Sequence, residues 1–457
     1  MTRPALLKFL SFHQVSNWNI KQLFNRPLQS AAYPSYPLGN ALVRRKEVVW
    51  VEDTNRYMRI TIRTNCGGVV VRDRPLGKTV KTKQQYRIHA GQLAVSKIDA
   101  RNGAFGLVPE EAEGAIITGN FWVYDVLPQT AMPEYLVRLL ASPRFVQIWE
   151  ECSNGSGNRL YLQEPQFLHY PVPFPPLVVQ ERLVENFQLT EQEARTLEER
   201  ADTLEQLLEQ ELFKDLGVVA ETESSPTDGS LLRIARFCDM TQWGYDKVEG
   251  RFPFQFIGPA PVSLKQVPQL CLALFRGKSP RYDPKGDRVI LNQKCNRKNE
   301  IDLRYAKTVD SAWLERISQK QFTAPGDLLI NSTGEGTLGR ASMVDHAHAG
   351  LFLDSHLLLL RPNCRRLDPR FFAYLFNTTL VQRQVEQLKG AQATKQTELG
   401  IENVRRIQFP LPSLERQQEL GARAEQRAQL ARRLRLQASQ LRQKAQEAFE
   451  REVFGQP

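Results

Sequence analysis

The sequence predicts an α+β protein in which two mixed α/β domains stand in tandem, each followed by a long helix. Three observations predict this fold class. The two halves of the 457-residue chain repeat each other, and each half ends in a long helical segment. Between these segments, short β-branched or aromatic runs alternate with helical ones, which is typical of mixed α/β domains.

The repeat is carried by landmarks that recur in the same order, each displaced by 225 to 237 positions. A displacement that drifts by so few residues indicates a tandem duplication. The landmarks and their copies are residues 41–46 (ALVRRK) and 273–278 (ALFRGK), residues 90–106 (AGQLAVSKIDARNGAFG) and 325–339 (PGDLLINSTGEGTLG), residues 173–180 (PFPPLVVQ) and 410–417 (PLPSLERQ), Phe12 and Phe237, and Trp18 and Trp243.

Each half closes with a helical segment that carries one apolar stripe at steps of three and four, the spacing of a coiled coil. The stripes are Phe187, Thr190, Ala194, Leu197, Ala201, Leu204 and Leu208 in the first segment, and Leu420, Ala424, Arg427, Ala431, Leu434, Ala438, Leu441, Ala445 and Ala448 in the second. Residues 176–217 have a net charge of −7 and residues 413–454 one of +3. Opposite charges predict that the helices pair within the chain; pairing with another chain is the alternative.

The predicted organisation has five segments: a first globular domain (1–175), a first long helix (176–216), an acidic polar joint (217–230), a second globular domain (231–412) and a second long helix (413–454). The whole chain has a net charge of +11, so subtraction of the two helical segments leaves +15 on the rest. A basic surface favours a polyanionic partner, nucleic acid first and an acidic membrane surface second.

The composition also limits the cellular setting. No run reaches the roughly 18 apolar residues of a spanning helix, and the start of the chain has no signal-peptide cleavage site, so we expect a cytoplasmic protein. The six cysteines form no C-x-x-C pair, which favours reduced thiols over a zinc or redox site.

A glycine-rich stretch in the second half resembles a dinucleotide-binding fingerprint. Gly334, Gly336 and Gly339 form G-x-G-x-x-G behind an apolar run, and Asp354 follows twenty residues after Gly334. The first copy reads DARNGAFG and lacks the G-x-G, so we favour a polar loop between two strands over a pyrophosphate cradle. Its glycines would then allow close approach to a phosphate backbone. The alternative, a nucleotide-dependent enzyme, predicts saturable NAD or ATP binding.

No catalytic or metal-binding motif stands out. His346, His348 and His356 lie near Asp345 and Asp354, but they have no counterparts in the first half, so we predict no metal site. The sequence contains no methyltransferase-like Asn/Asp-Pro-Pro-aromatic tetrapeptide, no H-E-x-x-H and no nucleophile elbow. We therefore predict a binding protein without catalytic residues.

Basic residues and polar loops in both halves are the candidate contacts to a nucleic acid. Lysine and arginine position phosphates, whereas polar side chains recognise base edges. In the first domain the candidates are Arg44, Arg45, Lys46, Lys78, Lys81 and Lys83 for phosphates, and Lys97, Arg101 and Asn102 for bases. In the second domain they are Arg276, Lys278 and Arg281 for phosphates, Asn331, Ser332, Thr333, Glu335 and Arg340 around the glycine loop, and Gln392 and Lys395 in a later polar loop. For each residue the alternative is a solvated surface.

These features together resemble the DNA specificity subunit of type I restriction-modification systems. The resemblance covers nearly the whole chain and rests on GQLAVSK and GDLLINS, on GAFG and GTLG, and on the Pro-x-Pro-x-x-x-x-Gln start of each long helix. It implies that each globular repeat recognises one half of a bipartite DNA target. It also implies that the helices form an antiparallel coiled coil, which sets the gap and docks two methyltransferase subunits.

The resemblance further implies a non-catalytic subunit that binds double-stranded DNA, methyltransferase subunits and restriction subunits, but no membrane. It implies no cofactor in this chain, with S-adenosylmethionine, ATP and Mg²⁺ bound by the partners, in a prokaryotic cytoplasm. A stand-alone DNA-binding protein that dimerises through its coiled coils is the alternative, and predicts a stable homodimer. A purely structural coiled-coil scaffold leaves the basic globular parts unexplained.

Overall fold

Each long helix is shared between two units of the structure. The computed structural model describes residues 33–154, 161–220, 254–388 and 398–455. Unit 1 contains the described residues up to Thr196 and those from Gln437 onward, and unit 2 is Leu197–Leu436. Each unit therefore combines globular structure with one end of both helices, whereas the predicted organisation treats the helices as separate segments.

Unit 1 is built around a four-stranded and a five-stranded sheet. Its strands are β1 (Ser35–Pro37), β2 (Leu42–Arg45), β3 (Glu47–Trp50), β4 (Arg59–Ile62), β5 (Val69–Asp73), β6 (Gln84–Arg87), β7 (Leu93–Ser96), β8 (Phe105–Leu107), β9 (Ile116–Ile117), β10 (Phe121–Val126), β11 (Ser153–Asn154), β12 (Tyr161–Leu162) and β13 (Pro171–Pro173). The four-stranded sheet is antiparallel with the order β2-β10-β7-β8, and the five-stranded sheet has the order β3-β6-β9-β4-β5.

The helices of unit 1 cover the four-stranded sheet with aromatic side chains. They are α1 (Pro133–Leu140), α2 (Pro143–Glu151), α3 (Glu164–His169) and the first half of α4 (Leu177–Leu216). The Trp149 ring of α2 stacks on Phe105 of β8 and on Phe167 of α3, with centroid distances of 5.2 and 5.1 Å. Burial of such rings is a large share of the hydrophobic stabilisation of a core.

Unit 2 is built around a four-stranded and a three-stranded sheet. Its strands are β14 (Val218–Ala220), β15 (Phe254–Phe256), β16 (Val262–Ser263), β17 (Cys271–Arg276), β18 (Arg288–Leu291), β19 (Lys307–Val309), β20 (Leu328–Asn331), β21 (Ala341–Met343), β22 (Phe352–Leu353), β23 (Leu357–Pro362) and β24 (Gln408–Phe409). Its helices are the second half of α4, α5 (Ser311–Leu314), α6 (Pro369–Phe376), α7 (Thr379–Leu388), α8 (Ile401–Arg406) and the first part of α9 (Leu414–Phe454). The sheet orders are β17-β23-β20-β21 and β19-β18-β22.

The two four-stranded sheets have the same topology, as a tandem duplication predicts. Strands β2, β10, β7 and β8 correspond to β17, β23, β20 and β21 in order and direction. The strand register places Arg45 opposite Val123 and Phe275 opposite Leu359, at corresponding positions of β10 and β23. Arg45 therefore corresponds to Phe275, two residues before Gly277, which the aligned motifs ALVRRK and ALFRGK place opposite it.

The polar residue that follows Gly91 in unit 1 and Gly326 in unit 2 has the same role in both units. Gln92 accepts a hydrogen bond from the backbone N–H of His89 at 2.8 Å, and its amide donates to Asp125 of β10 at 2.8 Å. Asp327 accepts from the N–H of Ala324 at 2.7 Å and takes two hydrogen bonds from Arg361 of β23, each 2.7 Å long. Each side chain thus joins a turn to the neighbouring strand.

The glutamine at the start of each long helix is buried and bonded in the same way. Gln180 accepts from the N–H of Met132, the residue before α1, at 2.9 Å. Gln417 accepts from the N–H of Asp368, the residue before α6, at 2.8 Å. Each amide nitrogen also donates to two backbone carbonyls. This explains why the Pro-x-Pro-x-x-x-x-Gln motif ends in glutamine, because a glutamine side chain can both accept and donate hydrogen bonds.

Helices α4 and α9 run antiparallel within each unit and are linked by ion pairs. In unit 1, Arg182 pairs with Glu452, and Arg442 pairs with Glu191 at 3.0 Å. In unit 2 the pairs are Arg435 with Asp202 and Glu205, Arg427 with Glu211, Arg423 with Glu211 and Asp215, and Arg416 with Asp215. The prediction that an acidic and a basic helix pair within the chain is confirmed.

The apolar stripes follow the predicted spacing except at the end of α9. Ala194 and Ala201 of α4 are fully buried, as are Ala431 and Ala438 of α9. Near the end of α9, Ala448 is exposed and Phe449 is buried instead, with its ring 5.8 Å from that of Tyr135. The stripe shifts there because this last part of α9 packs against the globular core of unit 1. Among the described residues, no helix combines the length and apolar character of a membrane span.

A charged triad in unit 1 predicts a pH-dependent stability. His89, after β6, contacts Glu47 at the start of β3 through Nε2 (2.9 Å) and Glu113 before β9 through Nδ1 (2.7 Å). The bonds to Glu47 and Glu113 raise the pKa of His89. Arg87 lies 3.1 Å from Glu47, so the triad remains close to charge balance.

We expect the protonated triad to stabilise the sheet fully below the ordinary histidine pKa of about 6.5 and to lose this contribution as the pH rises through the raised value. The Ala90 N–H and His89 lower the pKa of Glu113. The contribution is therefore also lost in acid, as the pH falls from the ordinary glutamate pKa of about 4.3 through the lowered pKa of Glu113. A His89→Gln variant should therefore differ most from wild type near pH 6 and converge towards pH 9. Thermal unfolding at four pH values measures this, and a constant difference would contradict it.

Candidate nucleic-acid interface

In unit 1, two of the predicted DNA contacts lie over one buried aromatic ring. The guanidinium of Arg44 is 5.7 Å from the centroid of Trp122, and Lys97 Nζ is 5.6 Å from it. Arg44 also lies 5.3 Å from Tyr124 and 3.5 Å from Glu164. Burial and the charge of Arg44 lower the pKa of Lys97. A cation held over an aromatic face is attracted by the negative face of the ring, which fixes the position of both charges.

Two further candidates in unit 1 are already paired with carboxylates. Arg45 pairs with Asp125. Lys83 Nζ lies 2.5 Å from Asp53 and donates to the carbonyl of Gly77 at 2.9 Å. Both residues hold their part of the fold together, so much of their charge is balanced within the protein.

The other candidates of unit 1 are available to solvent. Lys46, Lys78 and Lys81 are exposed, and within the described ranges none of them forms an ion pair. Arg101 and Asn102 lie in a 3-10 turn (Ala100–Asn102) whose last amide bonds to Asp99 at 3.3 Å. Arg101 is half-buried and Asn102 is exposed, so the turn presents the asparagine to a ligand.

In unit 2, the basic candidates differ in the same way. Arg276, at the end of β17, pairs with Glu398. Lys278 and Arg281 are exposed and form no ion pair in the part of the chain that the structure describes. Gln392 and Lys395 lie outside the described residues.

The glycine loop after β20 changes the assignment of base-recognising residues. Asn331, the last residue of β20, and Ser332 after it are fully buried, because hydrophobic clusters cover both faces of the sheet around β20. Their side chains are therefore not available to DNA in this conformation, which corrects their prediction as contacts. Glu335 is exposed and Arg340 is half-buried, with a bond from Nη2 to the carbonyl of Gly336.

Most glycines of this loop are required by packing within the protein. A Cβ on Gly334 would lie 2.4 Å from Thr337 Oγ1, and one on Gly339 would lie 2.8 Å from the Val385 side chain. Gly336, at φ +72°, faces open space. At Gly334 and Gly339 a side chain would collide with neighbouring atoms of the protein, and only Gly336 leaves room for a ligand.

Thr333 is hydrogen-bonded to His356, which the sequence does not predict as a DNA contact. Thr333 Oγ1 donates to Gln293 Oε1 at 3.0 Å and bonds to His356 Nδ1 at 2.8 Å. His356 is exposed, and its backbone N–H donates to Asp354 Oδ1 at 2.9 Å. These residues are distant in sequence and His356 has no histidine counterpart in the first half, so no local signal identifies them.

The remaining histidines do not form a metal site in the described ranges. His348 Nδ1 bonds to Asp345 Oδ1 at 2.6 Å, and Asp345 caps the short turn that contains both histidines. In the described part of the chain, no group of three or more His, Cys, Asp or Glu side chains is arranged to hold a metal ion.

Lys278 provides a test of phosphate contact. Each neutralised phosphate adds about 0.9 to the slope of log affinity against log salt concentration, so Lys278→Gln should reduce that slope by about one unit. It should weaken binding to target and non-target duplexes alike. Arg304→Gln is the control: it makes the same change in charge, but Arg304 is already paired with Asp302 at 2.8 Å. Equal slopes for the two variants would mean that Lys278 does not contact a phosphate.

One family model matches part of the second half of the chain. Residues 279–426 match the family model of the type I restriction modification DNA specificity domain. None of the curated proteins is detectably similar to the chain.

Three solved structures resemble the chain at low identity. A chain from a study of complex assembly and conformational transition of the type I R-M system is 18% identical, with 93% of this chain and 98% of that chain covered and a TM-score of 0.49. The HsdS subunit from Thermoanaerobacter tengcongensis is 16% identical, with 93% and 98% covered and a TM-score of 0.39. The S subunit of a type I restriction-modification system from M. genitalium is 10% identical, with 93% and 99% covered and a TM-score of 0.44.

Proposed function

We propose that this chain, which belongs to the type I restriction modification DNA specificity family through residues 279–426, is the DNA sequence-specificity subunit of such a system. One observation carries the proposal from that domain to the whole chain. The sheet β17-β23-β20-β21, three of whose strands lie in the matched region, recurs in unit 1 as β2-β10-β7-β8. A chain with two domains of this kind has two DNA-recognition surfaces.

Each unit would recognise one half of a bipartite target. Exposed lysines and arginines would position the phosphates, and polar side chains at the strand ends would recognise the bases. The chain itself would perform no chemistry. Two methyltransferase subunits with S-adenosylmethionine, and restriction subunits with ATP and Mg²⁺, would act at the site that it selects.

The test is a genome-wide map of modified bases in a methylation-free host that carries this gene and its neighbouring methyltransferase gene. A host with the methyltransferase gene alone is the control. We expect methylated adenine at a bipartite motif with a fixed gap only when this chain is present. If the methyltransferase is active but no such motif appears, a stand-alone DNA-binding protein becomes the better explanation.

The paired helices would set the gap between the two half-targets. Deletion of residues 198–204 together with 430–436 removes one heptad from each helix and shortens it by about 10 Å, close to the rise of three base pairs. The pairs of Glu191 with Arg442 and of Glu211 with Arg423 lie outside both deletions. We expect the same half-targets with a gap about three base pairs shorter in the methylation map. Deletion from α4 alone is the control, and an unchanged gap in the double deletion would refute the spacer role.

A further inference from the structure

Three side chains at the end of β20 form a hydrogen-bonded chain that reaches the surface of unit 2. Thr333 Oγ1 lies 3.0 Å from Gln293 Oε1 and 2.8 Å from His356 Nδ1. His356 is exposed, and Gln293 and Thr333 are half-buried. Within the described residues, the amide nitrogen of Gln293 and Nε2 of His356 have no protein partner and remain available to a ligand.

The single hydroxyl hydrogen of Thr333 couples the two ends of this chain. When Thr333 donates to Gln293 Oε1, a neutral His356 must donate from Nδ1 to Thr333 Oγ1, which leaves Nε2 as an acceptor and the Gln293 amide nitrogen as a donor. When the amide is turned by half a turn, Thr333 donates to Nδ1, so Nε2 carries the hydrogen and the Gln293 oxygen is the free acceptor. In both states the ends present one donor and one acceptor.

This combination matches one base. In the major groove adenine shows an acceptor at N7 beside a donor at N6, whereas guanine shows two acceptors, cytosine one donor and thymine one acceptor. We propose that Gln293, Thr333 and His356 together recognise one adenine in the half-target bound by unit 2. This inference rests on the proposed function and names the residues and the base through which unit 2 would carry it out.

The surroundings hold the triad in place and include one exposed cation. The backbone N–H of His356 donates to Asp354, whose other oxygen accepts from the Tyr282 hydroxyl at 2.8 Å. The carbonyl of His356 accepts from the N–H of Ser332 at 3.0 Å. Lys294 follows Gln293 in the chain and is exposed. A recognition group held by such bonds loses little freedom when it binds.

The corresponding place in unit 1 shows that the fold does not require the triad. There the N–H of Lys97 donates to the carbonyl of Asn120 at 3.0 Å, as Ser332 does to His356 in unit 2. Asn120 replaces the histidine, and Lys97 and Arg44 lie over Trp122 instead. The same junction thus carries an asparagine with two cations nearby in one unit and a hydrogen-bonded glutamine, threonine and histidine in the other, as expected of a position that differs between two half-targets.

The test compares methylation maps of wild type, Thr333→Val and Thr333→Ser in the full chain with its methyltransferase partner. Valine keeps the shape of threonine but removes the hydroxyl that couples the triad. We expect the valine variant to lose discrimination at least about fivefold at one adenine position of one half-target, while the other half-target stays unchanged. The serine variant keeps a hydroxyl and should retain the wild-type motif.

Two further variants separate recognition from folding. His356→Ala should relax recognition at the same position, because it removes one of the two atoms that face the base. It should leave folding intact, because His356 is exposed and contributes little packing. His346→Ala, another exposed histidine outside the triad, should keep the wild-type motif. The ratio of methylated sites within one sample does not depend on how much folded protein is present. An unchanged motif in Thr333→Val, or relaxation at a G·C position or in both half-targets, would overturn the inference. Absence of any bipartite motif in wild type would instead overturn the proposed function.

Discussion

Replacement of Asp327 by alanine is expected to destabilise unit 2 by about 3 kcal/mol. The side chain of Asp327 is 2% exposed and takes two hydrogen bonds from Arg361, together with one from the N–H of Ala324. Loss of one partner of a buried ion pair leaves the other charge without compensation, at about 3 to 5 kcal/mol. Arg361 is 25% exposed and can still reach water, which places the effect at the lower end.

Gln92→Ala in unit 1 is the matched control for Asp327→Ala. Gln92 occupies the same position and closes the same turn, but its bonds from the N–H of His89 and to Asp125 involve no buried ion pair. Its loss should destabilise unit 1 by only about 1 to 2 kcal/mol. Calorimetry measures the overall loss, and hydrogen exchange of β20 and β23 against β7 and β10 assigns it to a unit. Equal losses in the two variants would show that the ion pair adds nothing.

The repeat and the long helices could be predicted because their signals are local. The stripes and opposite charges of α4 and α9 are visible in a few consecutive turns, and the structure gives Leu177–Leu216 and Leu414–Phe454. The repeated motifs also follow from local needs, since Gln180 and Gln417 must each accept one backbone hydrogen bond and donate two.

The candidate site was harder to predict because it depends on distant pairing. Asn331 and Ser332 look like the polar tip of a strand, yet their side chains are buried between hydrophobic clusters, and nothing near them in sequence reveals it. His356 reaches Thr333 only because β23 follows the turn beside β20. Likewise, strand pairing makes Phe275 the structural counterpart of Arg45, two residues from the motif match, which no comparison of short motifs can detect.

Gln417→Leu is expected to destabilise unit 2 by about 3 kcal/mol, although it replaces a polar side chain by an apolar one of similar size. Gln417 is 1% exposed, accepts from the N–H of Asp368, and donates to the carbonyls of Arg366 and Pro412 at 3.2 and 2.9 Å. Leucine removes the partner of these three backbone groups, at about 1 to 3 kcal/mol for each group that water does not reach.

The effect should begin at the junction of α9 with α6. Asp368 caps α6 by accepting from the N–H of Phe371 at 2.8 Å, so a shift of Asp368 also weakens that helix. A Cβ on Gly421 would lie 2.8 Å from the Phe371 nitrogen, which shows how closely α9 approaches there. Gln418→Leu, at the exposed neighbouring position, is the control and should change stability by less than about 0.5 kcal/mol. Chemical denaturation compares the two variants, and equal midpoints would mean that helix packing, and not the buried amide, holds this junction together.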